Sequence, residues 1–200
     1  MANNIHNLLV FKSQESFDKF LNNYVTQVDD EYPYVRFDFT KVIPYPKKED
    51  CPDKYNMESP SYSASANLQP ILGYEYLDWY NWCNDNWGTK WNSYNCSMNE
   101  QKKEFFFDTA WSTPYPVLEK LFKDNPNFAD NVTGISCCEF NGCNVCKTWS
   151  VDSGILVVSE HNTNPEEIEL EEIKKIPYLE YMFLEYTDED FDECFAVNED

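Results

Sequence analysis

The chain is short of three things. Among 200 residues it has five glycines, two histidines and 15 basic side chains. So few glycines argue against a phosphate-cradling loop, which needs several backbone positions free of side chains. The histidines, His6 and His161, sit in no recognisable nucleophile–base constellation, and catalysis of that kind needs a base beside its nucleophile. The 15 bases face 36 acids, for a formal net charge of −21. Affinity for a phosphate backbone comes from Lys and Arg displacing counterions, so direct nucleic-acid binding is disfavoured. A partner with a basic surface is favoured by the same field. No stretch approaches the roughly 18 apolar residues of a membrane span. The first residues, MANNIHNLLVF, lack the basic and apolar regions of a signal peptide. The expected location is the cytoplasm, where the eight cysteines are expected to be mostly reduced.

Aromatic residues are plentiful instead. Five of the six tryptophans, Trp79, Trp82, Trp87, Trp91 and Trp111, lie within residues 77–116. Such a cluster forms either the heart of a core or a surface platform for a partner. Residues 4–11 read as a strand. Ser13 then caps a helix whose apolar face is Phe17, Phe20, Leu21, Tyr24 and Val28. Residues 34–43 alternate Val35, Phe37, Phe39 with Arg36, Asp38, Thr40, the pattern of a half-buried strand. Residues 45–67 show no period and read as a long loop. Helical spacing resumes over 68–86, and Gly88 turns the chain toward the next strand. Residues 103–109 read as a strand buried on both faces. Ser112-Thr113-Pro114 reads as a cap and helix start, with Val117, Leu118, Leu121 and Phe122 facing inward. Residues 132–140, 143–151 and 154–160 form a meander whose first turn is Asn141-Gly142. Pro165-Glu166-Glu167 suits another helix start.

Two motifs in the tryptophan-rich stretch carry a resemblance. They are a W-G-T-K-W turn (Trp87, Gly88, Thr89, Lys90, Trp91) and an F-x-T-A-W-x-x-P helix entry (Phe107, Thr109, Ala110, Trp111, Pro114). With the VIPYP strand end at 42–46, they resemble the YubB-type ferredoxin-like domain of bacteriophages and conjugative plasmids. The resemblance covers roughly residues 4–160 and favours a core role for the tryptophans. It implies an α+β, ferredoxin-like antiparallel sheet with helices on one face. The corresponding domain spans 1–160 with an insertion at 45–102, and an acidic extension occupies 161–200. The resemblance implies no catalytic set and no cofactor. Adjacent acids such as Asp78/Asp85 and Glu104/Asp108 are weak evidence for acid–base work in so acidic a chain.

Cys137, Cys138, Cys143 and Cys146 invite a zinc reading, because Cys143-x-x-Cys146 has ligand spacing. A two-residue turn at Asn141-Gly142 argues against it. It pairs Cys137 with Cys146 on one face and leaves Cys138 and Cys143 on the other. Four thiols on two faces make no tetrahedron, so the hairpin implies unligated cysteines, some of them small buried hydrophobes. Lys90, between two tryptophans, either packs its stem on an indole or belongs to an aromatic–basic patch.

The acidic surplus concentrates at the end. Residues 160–200 carry 15 acids against two lysines, a net −13. The acids are interleaved with aromatics, which a merely solvating tail lacks. Glu180, Glu185, Asp188, Glu189, Asp190, Phe191, Asp192 and Glu193 are the expected partner-binding residues, carboxylates around an apolar anchor. Together with the resemblance, this points to a non-enzymatic mobile-element protein. Its acidic surface is expected to occupy the basic groove of a host defence nuclease or its complex, in the anti-CRISPR or anti-restriction manner. The alternatives are an accessory nucleic-acid module using sheet aromatics, or a zinc-binding module through the 137–146 cysteines.

Overall fold

The structure, a computed structural model, describes residues 3–28, 34–63, 69–126, 131–138, 145–152 and 154–162. The acidic segment proposed to bind a partner, Glu180 to Glu193, lies outside the described residues, as do the expected helix after Pro165 and the Asn141-Gly142 turn. The described chain is a mixed α+β fold. Its elements are β1 (Asn4–Phe11), α1 (Gln14–Tyr24), β2 (Val25–Val28), β3 (Tyr34–Phe37), α2 (Trp79–Trp87), β4 (Tyr94–Asn99), β5 (Glu104–Ala110), α3 (Tyr115–Asp124), β6 (Val132–Cys138), β7 (Val145–Asp152) and β8 (Ile155–Asn162). Six strands make one antiparallel sheet in the order β4-β5-β1-β6-β7-β8, and β2 and β3 pair separately.

Alternation along β1 decides how the sheet is covered. Leu9 and Phe11 point toward α1 and α3 and join one core with Phe17, Phe20, Phe105, Phe107, Val117, Leu118, Leu121 and Phe122. Phe20 is fully buried, its ring 5.0 Å from Phe37 and 5.3 Å from Phe105. Burying one such side chain is worth about 2–3 kcal/mol. Ser13 caps α1 as expected, accepting a bond from the Ser16 amide at 3.2 Å. Asn7 is polar inside this core, and its amide is satisfied by the Ile5 and Phe107 carbonyls, Thr109 and Ser136.

Several expectations need correction. Val28 does not continue the first helix: the β-branched run from Val25 is a strand, paired with Tyr34–Phe37. The expected strand 34–43 therefore stops at Phe37, and Phe39–Lys41 forms a 3-10 turn. Asp38 causes that stop. Its carboxylate accepts from the Thr40 amide (3.1 Å), the Thr40 hydroxyl (2.7 Å) and the Asn92 side-chain amide (2.9 Å). The helix expected over 68–86 begins only at Trp79, where Asp78 caps it. Pro70 precludes an earlier helix interior, Gly73 sits at φ +85°, and Leu72 is exposed. Strand β4 was not foreseen, because YNCSMN alternates weakly and lies at the sheet edge. Ser112 does not cap α3: Pro114 holds the cap position without a side-chain bond, and Ser112 serves elsewhere. The meander is present, with Cys137 opposite Cys146 as the hairpin register requires.

The cysteine expectation also changes. Cys137 and Cys146 are joined in a disulfide with Cα atoms 4.5 Å apart, and Cys138 is disulfide-bonded as well. That separation is that of a close antiparallel pair, where two side chains meet with no shift of the backbone. The reduced state had been inferred from the compartment, and the strand geometry places the sulfurs in bonding reach.

Asp38 yields a pH prediction. Burial raises its pKa, but the hydrogen bonds from Thr40 and Asn92 outweigh this and hold it below the usual carboxylate range. A depressed carboxylate pKa adds stability above the unfolded value of about 4, and that stability is lost as pH falls through the folded value. Asp38→Asn is therefore expected to lower the urea midpoint at pH 7. The gap from wild type is expected to narrow as the pH falls below the ordinary carboxylate range. A gap that stays constant with pH contradicts this account.

A candidate protein-binding surface on two tryptophans

The tryptophan cluster divides. Trp87 is fully buried at the end of α2, its ring 5.0–5.7 Å from those of Tyr45, Trp82 and Phe39, and its Nε1 donates to the Ile43 carbonyl at 2.9 Å. Trp82 is buried beside it, and Trp79 is half-buried with Nε1 on the Gln69 carbonyl. Trp91 and Trp111 are different. They are 36% and 56% exposed, so the core reading fails for these two.

Trp111 and Trp91 stand on two loops that are stapled together. The α2 helix ends at Gly88 in the left-handed region, φ +73°. A Cβ there would stand 2.8 Å from Pro116 Cδ, so the loop lies close against the start of α3. Thr89 is fully buried and its hydroxyl donates to the Ala110 carbonyl at 2.8 Å. The Ser112 hydroxyl donates to the Gly88 carbonyl. Thr109 donates to the Ser112 carbonyl at 2.8 Å, and the Trp111 amide to the Asn3 carbonyl at 2.9 Å. The resemblance motifs Trp87 to Trp91 and Thr109 to Pro114 are thus the two halves of one buttress.

Backbone geometry adds the strongest signal. Trp111 has φ +72°. A bulky side chain in the left-handed region is rare and costs about 1–3 kcal/mol. The surrounding bonds hold it there, and what the strain achieves is to present a large indole to solvent. Beside it in the buttress, Lys90 lies over the Trp91 ring with Nζ 4.4 Å from the centroid, and Tyr80 is 5.8 Å from the same ammonium. Tyr94 packs edge-on to Trp91 at 6.4 Å, its hydroxyl bonded to Asn4 at 2.6 Å. Two exposed indoles on stapled loops, one with a cation over its ring, suit a contact that buries ring faces.

Other candidate residues have structural roles. Asp78 is fully buried as the α2 cap and takes bonds from the Asn81 amide, the Asn81 side chain and the Tyr62 hydroxyl. Asp85 accepts from Tyr55 at 2.6 Å and Lys54 at 3.1 Å, which lower its pKa. Burial pushes the Cys83 thiol up to about 12, and it also raises those of Cys51 and Cys96. A nucleophilic cysteine needs the opposite shift. Asp108 is buried and paired with His6 at 2.7 Å. His161 lies in β8 with Nε2 2.6 Å from the Thr148 hydroxyl.

Sequence reasoning named Trp91 and Trp111 but assigned them to the core. The signal that separates them is local. Lys90 beside Trp91 and the Ser-Thr-Pro after Trp111 mark loop positions, whereas Trp82 and Trp87 lie within the α2 helix. No helix among the described residues is long and apolar enough to cross a membrane. No protein-family model matches the chain, and comparison with curated proteins and with solved structures returns no match.

Proposed function

We propose that this is a non-catalytic binding protein of the YubB-type ferredoxin-like family of phages and conjugative plasmids. It attaches to a basic, nucleic-acid-handling host protein in the host cytoplasm and inhibits it. In support of this reading, the order β4-β5-β1-β6 with α1 and α3 between strands is compatible with a split β-α-β plan, to which β7 and β8 would be additions. The binding role rests on one observation above the others: Trp111 is held in a strained backbone conformation that exposes it. Exposed aromatic anchors of this kind dominate the energetics of interfaces. The charge of −21 supplies attraction to a basic surface, and the acids Asp188, Glu189, Asp190, Asp192 and Glu193, with Glu185 just before them, are its densest part. A second reading, single-stranded nucleic acid stacked on Trp91 and Trp111, draws on Lys90 but works against that charge.

The test compares capture of host nucleic-acid-handling proteins by the wild-type chain and by a Trp91→Ala/Trp111→Ala variant. Loss of two anchors is expected to weaken binding at least about 30-fold. The wild-type complex is expected to weaken as salt rises. Equal capture by both chains removes the tryptophan surface from the proposal, and retention on single-stranded nucleic acid instead of protein selects the second reading. Stability makes a further distinction. Trp111→Gly relieves the left-handed strain, so its stability in a urea melt is expected to match or exceed wild type, by up to about 1 kcal/mol. A residue kept for packing shows a loss instead.

A further inference from the structure

The sheet is buried on both faces, and the described helices cover only one of them. Among the described residues, the three helices and the loop from Phe39 to Leu77 send their buried side chains into the core that holds Leu9 and Phe11. Side chains alternate along a strand, so His6 and Leu8 of β1 face the other way. Residues directly opposite on neighbouring strands share a face. Leu8 stands between Phe106 and Ile135, and His6 between Asp108 and Cys137, with Cys146 beyond. On this second face Leu8 and Ile135 are fully buried, and so nearly are Cys137 and Cys146. Glu104, opposite Val10, is buried there as well. A sheet face turned to water leaves its side chains exposed, so this one has a cover.

We propose that this face is the docking surface for the chain's own residues 168–184, whose apolar side chains cover Leu8, Phe106, Ile135 and the Cys137–Cys146 disulfide. Length selects the occupant. Outside the described residues, the internal runs 29–33, 64–68, 127–130 and 139–144 hold six residues or fewer and return to the described chain at both ends. The one long run is 163–200, which follows directly on β8. From β8, at the edge of the sheet, β1 lies three strand spacings away, about 14 Å. About five extended residues reach that far, which brings the chain over the centre of the face near residue 168.

Composition selects the part of that run. Residues 168–184 hold Ile168, Leu170, Ile173, Ile176, Leu179 and Phe183, together with Lys174 and Lys175. Residues 185–200 carry eight acids and no base. The face to be covered already buries Glu104 and Asp108. Bringing further unpaired carboxylates onto it is costly, whereas apolar side chains and two lysines suit it. Docking of 168–184 also ties the acids from Glu185 to Glu193 to the body of the sheet. The docking does not rest on the partner reading of those acids, and its test uses no partner.

Two measurements on the full chain test it. In the first, the photoreactive residue p-benzoylphenylalanine replaces Phe106, which is half-buried on the covered face. Irradiation is expected to cross-link it to residues 168–184 of the same chain. Cross-links that join two copies, that fall in 185–200 or elsewhere in the chain, or that fail to form overturn the proposal. The second follows reduction of the Cys137–Cys146 disulfide by a water-soluble phosphine, read as alkylation of the two cysteines by peptide mass. The phosphine opens the S–S bond, takes up one water and leaves as its oxide with two thiols formed. An Ile173→Ser/Ile176→Ser/Leu179→Ser/Phe183→Ser variant is expected to be reduced at least about tenfold faster than wild type, because the cover is lost locally. Its near-UV circular dichroism, which reports the aromatic core on the other face, is expected to stay unchanged. Asp188→Asn/Glu189→Gln/Asp190→Asn is expected to be reduced at the wild-type rate. Equal rates in wild type and the four-serine variant overturn the proposal, and the cross-link decides if that variant does not fold.

Discussion

Trp87→Ala is expected to lower stability by about 3–5 kcal/mol, the range for deleting a buried tryptophan. In a chain of this size that corresponds to a fall of roughly 10 °C in melting temperature. Trp91→Ala, four residues on, is expected to change stability by no more than about 0.5 kcal/mol, the usual range for surface positions. The difference follows from surroundings alone. Trp87 is fully buried among Phe39, Tyr45 and Trp82, while Trp91 is over a third exposed and touches Lys90 and Tyr94. Trp87→Phe separates packing from hydrogen bonding. It keeps a ring in the core but removes the indole bond to the half-buried Ile43 carbonyl, a loss of about 0.5–1.5 kcal/mol. Thermal melts of the three variants check this. Similar losses for Trp87→Ala and Trp91→Ala contradict the division of the cluster into core and surface halves.

That division shows where sequence reasoning reaches and where it stops. Period and capping carried α1, β5 and the inward face of α3, because each has a strong apolar pattern that agrees with its tertiary role. The Cys137–Cys146 register was legible too, since alternation and a two-residue turn determine it. The start of α2 was not. Leu72 and Tyr76 fall at helical spacing from Trp79 by coincidence, while Pro70, Gly73 and the buried Asp78 cap set the real boundary. Val25–Val28 was read by its apolar spacing when its β-branched character was the better guide.

Exposure of Trp91 and Trp111 could not be read from hydropathy, because a tryptophan in a turn and one on a helix score alike. It depends on the sign of φ at residue 111 and on hydroxyl bonds between loops more than twenty residues apart, Thr89 to Ala110 and Ser112 to Gly88.

Gly134→Ala is expected to be as damaging as loss of a core aromatic, although it adds one methyl group. Gly134 lies in β6 opposite Leu9 on one side and Trp149 on the other. A Cβ there collides with the Leu8 carbonyl oxygen and with the six-membered ring of Trp149. The ring is a side chain and can turn, but the carbonyl belongs to β1 at the centre of the sheet, and moving it breaks the ladder that holds β1 to β6. Overpacking of this kind costs about 1–3 kcal/mol where neighbours give, and more where they are backbone. We therefore place Gly134→Ala at or above about 3 kcal/mol. Trp149→Leu tests which contact dominates. Trp149 is buried against Phe122 at 5.8 Å, so its removal alone is costly. Combined with Gly134→Ala, it relieves the ring collision and leaves the carbonyl collision intact. A double-mutant cycle by urea denaturation is then expected to recover only part of the Gly134→Ala loss. Full recovery assigns the glycine to the indole that covers it, and partial recovery assigns it to the close approach of β1 and β6.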